Sequence, residues 1–130
     1  MPKRDTAQRR AIQAAIASVE HPLTPADILD AAQREVPALG IATVYRALKE
    51  LVLEGEVVGV DLPGEATRYE RAGKDHHHHF HCRRCGTVFE AEGCTAALNK
   101  LVPPGFVVEA HEVILYGRCA KCSRARAATR

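Results

Sequence analysis

A chain of 130 residues has room for one domain of ordinary size or two small ones, and 46% apolar with 26% charged residues excludes outright disorder. No run of about 18 apolar residues occurs, which excludes a hydrophobic membrane helix, and "MPKRDTAQRR" has no apolar leader, which points to the cytoplasm. The net charge of +2 does not argue for nucleic acid, and residues 1–60 carry seven Lys/Arg against eight Asp/Glu. Any basic footprint is therefore local: Lys3, Arg4, Arg9 and Arg10 in front, and Arg118, Lys121, Arg124, Arg126 and Arg130 behind.

The first predicted element is a helix over residues 5–19, with Ala11, Ile12, Ala15, Ile16 and Val19 on one face, Asp5 or Thr6 as its cap, and "HP" after it. "LTPADILDAAQREV" predicts a second helix. Thr24 is its N-cap, Pro25 takes the first helical position, and Asp27 completes a variant capping box. "GIATVYRALKELVLEG" predicts a third, with Ile41, Val44, Leu48, Leu51 and Val52 at helical spacing and Gly55 as the stop. Thr43, Tyr45, Arg46 and Lys49 point away from that stripe. The period then changes: "EVVGVDL" and "ATRYER" flank "PGE" and read as a two-stranded hairpin. Three helices and a hairpin outline a winged helix-turn-helix, whose third helix would enter the major groove. A plain three-helix core with a solvated Tyr45 and Arg46 is the competing reading.

"RAGKD" is a polar hinge between two compositions. The expected organisation is 1–71, a hinge at 72–75, and a second domain over 76–130. There the order reads strand (76–82), CxxC knuckle, strand (87–91), a helix around 94–102, a "PPG" turn, strands through "FVVEAHEVILYG", a second CxxC, and a frayed "SRARAATR" tail. The fold class expected is α+β.

Five cysteines in a cytoplasmic chain argue against disulfides. Cys82/Cys85 and Cys119/Cys122 form two CxxC pairs with 33 residues between them, four soft ligands that suit structural tetrahedral Zn(II). The gap is long for a zinc ribbon, so the knuckles would meet across a sheet. A redox CxxC needs only one pair and a strand–CxxC–helix setting. Cys94 stands alone and reads as a small buried hydrophobe or a helix N-terminal residue rather than a ligand.

The run "HHHHFHC" is no terminal tag, since it lies in mid-chain before a CxxC. On a strand, His77, His79 and His81 would face one way and His76 and His78 the other, so one run can serve two sites. Glu70, Glu90, Glu92 and His111 are candidate partners. His and carboxylate without cysteine suit Zn(II), Fe(II), Mn(II), Co(II) or Ni(II). A solvated His-rich strand and, for His21, a surface loop position are the plain alternatives.

Taken together, "RDTAQRRAI", "GIATVYRALKELVLEG", "RYE", "HHHHFHCRRCG" and "AHEVILYGRCAKC" resemble the ferric uptake regulator superfamily over nearly the whole length. The resemblance implies a winged-helix DNA-binding domain and a C-terminal α/β dimerisation domain. Residues 40–54 would be the recognition helix, with Tyr45 on thymine methyls or sugars and Arg46 on phosphates. Cys82, Cys85, Cys119 and Cys122 match the family's structural zinc site. Glu70, His77, His79 and Glu90 match its hinge-region sensing site. Its hinge histidine aligns with Pro22, and His21, one place earlier, is the candidate substitute. His76, His78 and His111 match a second, weaker site. The acidic residue that usually completes it falls at Ala97, leaving Glu92 or water.

The function implied is a metal-dependent repressor of metal uptake or homeostasis genes. A homodimer would bind an A/T-rich palindromic operator once Fe(II), Zn(II) or Mn(II) at the inter-domain site closes it. A peroxide-sensing repressor of the same fold is the alternative. No HExxH or H-x-E…PCxxC pattern supports a metalloenzyme.

Overall fold

In the computed structural model the first helix, α1 (Ala7–Ala17), starts at Thr6, whose hydroxyl accepts the Arg9 backbone N–H at 3.1 Å. The structure describes residues 6–94 and 96–128, so the alternative cap Asp5, and with it Lys3, Arg4 and Arg130, lies outside the described residues. Ala11, Ile12, Ala15 and Ile16 form the buried face of α1. Helix α2 (Pro25–Ala32) carries the complete capping box: Asp27 N–H donates to Thr24 Oγ1 at 3.1 Å, and Thr24 N–H to Asp27 Oδ2 at 3.3 Å.

Helix α3 (Ile41–Leu53) buries Val44, Ala47, Leu48 and Leu51. Ile41 and Val52, expected in the same stripe, are 42% and 41% exposed. At about 100° per residue they fall on the rim of the buried arc, not at its centre. Gly55, at φ 76°, ends the helix: its N–H donates to Val52 O (3.1 Å) and Glu56 N–H to Leu51 O (2.9 Å). That bond pair is a Schellman stop, and its left-handed residue favours glycine.

Strands β1 (Val57–Val60) and β2 (Arg68–Arg71) pair antiparallel, with Val57 opposite Arg71 and Val60 opposite Arg68. Leu23 and Tyr69 exchange backbone bonds of 2.9 and 2.8 Å, which tie the α1–α2 connection to the hairpin. The three helices and Leu23, Leu39 and Val57 enclose one aliphatic core. This is the winged helix-turn-helix outline.

The chain divides into two compact units between Lys74 and Asp75. In the second unit β3 (His78–Cys82) pairs antiparallel with β4 (Val88–Ala91) and parallel with β5 (Ile114–Gly117), in the order β4-β3-β5. Three expectations change. The helix near 94–102 is a 3₁₀ turn over Ala96–Leu101. "FVVEAHEVILYG" is strand only at Ile114–Gly117, because a strand needs a partner and β3 is only five residues long. The tail is not frayed through its described part: α4 runs over Ala120–Ala128, in a segment rich in the helix formers Ala, Lys and Arg.

Among the described residues of this unit, the buried ones are His78, Cys82, Val88 and Cys122. Such a core is too small to hold a fold by apolar burial alone.

Candidate metal centres and nucleic-acid face

The parallel pairing of β3 with β5 sets Cys82 opposite Gly117, so the first knuckle meets the second as it enters α4. Gly86, at φ 78°, closes the first knuckle with its N–H on Cys82 O at 2.9 Å. The Sγ atoms of Cys82, Cys85, Cys119 and Cys122 all lie within 4.8 Å of one another, and those of Cys85 and Cys119 are 3.9 Å apart. A zinc tetrathiolate with Zn–S near 2.3 Å has tetrahedral edges of about 3.8 Å, so the four sulfurs fit that ion.

Charge supports the same fit. Backbone N–H groups of Cys85 (3.5 Å) and Cys119 (3.4 Å) aim at Cys82 Sγ and hold its thiol down to about 5. The Thr87 hydroxyl, then its backbone, lowers Cys85. Burial, then the neighbouring thiols, pushes Cys122 up to about 12. Four sulfurs this close cannot all ionise without a cation among them.

The histidine run separates along the strand. His77 and His79 stack edge-on with ring centroids 4.9 Å apart. His77 Nδ1 lies 2.8 Å from Asp75 O, and a carbonyl only accepts, so Nδ1 carries the proton and Nε2 presents a lone pair. That Nε2 is 3.8 Å from Glu90 Oε1, on the neighbouring strand opposite His79. His77, His79 and Glu90 therefore offer an imidazole–carboxylate set inside the second unit.

His76, His78 and His111 converge elsewhere. His76 Nε2 is 3.2 Å from His78 Nε2 and 3.1 Å from His111 Nε2. His78 is 5% exposed, and burial, then His76 and His111, hold its imidazole below the usual value, in the neutral form that ligates. The Val113 N–H donates to His78 Nδ1 at 3.1 Å and turns Nε2 toward the other two rings. Ligation through Nε2 would shift the ring proton to Nδ1 and give up that bond. Cys94, expected to be a buried hydrophobe or helix residue, is exposed, and its Sγ lies 2.9 Å from His111 Nε2. Glu92 is exposed and outside this cluster, and Ala97 brings no donor side chain to it. His81 packs against Tyr116, centroids 5.8 Å apart, with the Arg83 guanidinium 4.7 Å from the Tyr116 ring.

In the first unit, Glu70 is 4% exposed on β2, with the Lys74 ammonium 3.5 Å from its carboxylate. Lys74 also donates to Glu20 O at 2.6 Å. His21 is half-buried in the turn between α1 and α2.

On α3, Tyr45 is 55% exposed, Arg46 and Lys49 are exposed, and Thr43 is half-buried, accepting from Arg46 Nη2 at 3.0 Å. An open groove between α3 and the hairpin is lined by Tyr45, Lys49, Leu53, Gly59, Asp61 and Thr67. Arg9 leaves the expected basic footprint. Its guanidinium forks onto Glu54 and approaches Glu50 at 3.6 Å, locking α1 to α3.

A winged helix followed by a small sheet domain rich in thiolate and imidazole ligands defines a metalloregulator class. The Ferric uptake regulator family matches residues 3–116, and the chain belongs to that family. It is 33% identical over 107 residues to the ferric uptake regulation protein of Bordetella parapertussis, covering 80% of this chain and 77% of that one. It is 32% identical over 126 residues to the transcriptional regulator FurA of Mycobacterium bovis, covering 91% and 86%. The solved structure of a zinc-bound manganese uptake regulator aligns at TM-score 0.77 and 26% identity, over 90% of this chain and 91% of that one. The family consists of metal-responsive, DNA-binding dimeric transcription regulators, not enzymes.

Proposed function

We propose that this chain is a metal-dependent repressor that binds a palindromic, A/T-rich operator as a homodimer and controls metal uptake or homeostasis genes. The observation that carries this reading is the imidazole–carboxylate set of His77, His79 and Glu90, kept apart from the four structural thiols. These three side chains, with Glu70 and the candidate His21 from the first unit, would hold the regulatory Fe(II), Zn(II) or Mn(II). Cys82, Cys85, Cys119 and Cys122 would hold structural zinc. When bound, the ion would supply a positive centre for neutral imidazoles and carboxylates. His77 is prepared for this by its Nδ1–H bond to Asp75 O.

Tyr45, Arg46, Lys49 and Thr43 on α3 would face the operator, with Tyr45 on thymine methyls or sugars and Arg46 on phosphates. Exposed apolar side chains of the second unit, among them Leu101, Phe106, Val107 and Leu115, supply a surface for a second copy. The family matches support metal-dependent repression at least as well as peroxide sensing.

The deciding experiment titrates operator binding against buffered Zn(II), Fe(II) and Mn(II). Linkage predicts that the sensed metal raises DNA affinity by roughly 5–150-fold. His77→Ala and His79→Ala should abolish that increase while the protein stays folded and zinc-loaded. A full metal response in both variants would remove these residues from the sensing site.

A further inference from the structure

Cys94 follows β4 by three residues and stands at the surface. Its Sγ contacts His111 Nε2 at 2.9 Å, His111 contacts His76 at 3.1 Å, and His76 contacts His78 at 3.2 Å. The donor atoms of Cys94, His76, His78 and His111 all lie within 4.8 Å of one another. They come from the first residue of β3 and the chain just before it, the segment after β4 and the segment before β5. None of them belongs to the four-thiol centre.

We propose that Cys94 is the fourth ligand of the second metal centre, making it a His₃Cys site that selects Zn(II)-type borderline cations over Mn(II) and Fe(II). The ligand set stands on the geometry of the second unit, and the reading as a metalloregulator only supplies its setting.

Size allows it. A tetrahedral ion with Zn–N near 2.05 Å and Zn–S near 2.3 Å needs N···N edges of about 3.3 Å and N···S edges of about 3.6 Å. The imidazole nitrogens stand 3.1 and 3.2 Å apart, within about 0.2 Å of that edge, and the Cys94 sulfur, at 2.9 Å from His111, must move out by about 0.7 Å, which its place on an exposed segment allows. Donor chemistry sets the selectivity: a thiolate with three neutral imidazoles suits Zn(II) and Co(II), whereas Mn(II) favours oxygen ligands. A cysteine–histidine contact is also the geometry of an activated nucleophile. A nucleophile has no use for two further imidazoles converging on the same point, and a metal does. A cation here would tie three connecting segments together in a unit with only a small apolar core.

Co(II) tests the assignment, because thiolate ligation produces a sulfur-to-cobalt charge-transfer band that imidazole and carboxylate sites lack. The full chain, reduced and with zinc in its four-thiol centre, is titrated anaerobically with Co(II). The expected result is one equivalent with a thiolate band and tetrahedral d–d bands, displaced by Zn(II) and not by equimolar Mn(II). Cys94→Ser should remove the band and weaken Co(II) binding at this centre by at least about 10–100-fold. His111→Ala, which keeps the thiol, should weaken that binding too.

A band that survives in Cys94→Ser would come from the four-thiol centre, and Co(II) binding at full strength in His111→Ala would take His111 out of the site; either result would overturn the proposal. So would a wild-type spectrum without a thiolate band, or Mn(II) competing as well as Zn(II). Operator binding is not the readout, so failure here leaves the sensing role of His77 and His79 to its own test.

Discussion

Cys82 is fully buried, receives two backbone N–H bonds, and sits where the two knuckles meet. Replacing it, or Cys122, with serine should release the zinc and unfold the second unit, because few other buried side chains hold it. Zinc content and limited proteolysis would show loss of the ion with protection confined to the first unit. A variant that keeps its zinc and its protection would mean the sulfurs are not the staple.

The zinc-bound second unit should also be pH-sensitive, and the sign follows from the thiols. Cys82 titrates near 5 when folded against an ordinary 9, so its contribution is full above 9 and fades as pH falls toward 5. His78, also lowered, adds an acid loss below its ordinary 6.5. Cys122, pushed up to about 12 by burial and its neighbours, is the thiol that most needs the cation in order to ionise. Zinc content should therefore fall on acidification, with the circular dichroism of the second unit lost as the ion leaves, and zinc retained well below pH 5 would show that these thiols do not hold it.

At the scale of elements, the winged helix rests on local rules that the sequence states openly. Thr24, Pro25 and Asp27 write the start of α2, and the structure makes both bonds of the box. Thr24→Ala should cost about 1 kcal/mol, read from urea unfolding of the first unit. No change in the midpoint would show that the cap is dispensable. The ion pair of Arg9 with Glu54 was not legible, because its partners are 45 residues apart. Arg9 reads in sequence as basic surface, yet it orients α3 from α1.

At the scale of the whole molecule, the exposed Phe106 (67%) and Val107 (84%) are costly for a monomer and useful in a dimer. Phe106→Asp should shift the protein toward monomer in sedimentation and weaken binding to a two-half-site operator more than to a single half-site. Dimer persistence with unchanged operator affinity would place the interface elsewhere. Metal and operator are linked in the same sense: operator DNA should tighten metal binding by the factor by which metal tightens operator binding.

The sequence alone determined the caps, the apolar face of α1, the centre of α3, the hairpin, and the two CxxC pairs. Each is written in residues a few positions apart, where helical period, turn chemistry and ligand spacing act directly. The family resemblance was readable for the same reason, as short motifs in fixed order. Only the tertiary structure decided what Cys94 is. Extending the β3–β4 register past Ala91 would have brought Gly93 opposite His76 and Cys94 beside it, a faint signal. Its closest contact, His111, is 17 residues away across a 3₁₀ turn and an irregular segment that sequence periodicity read as helix and strand. Donor atoms converge by the path of the chain in space, and no local rule encodes that path.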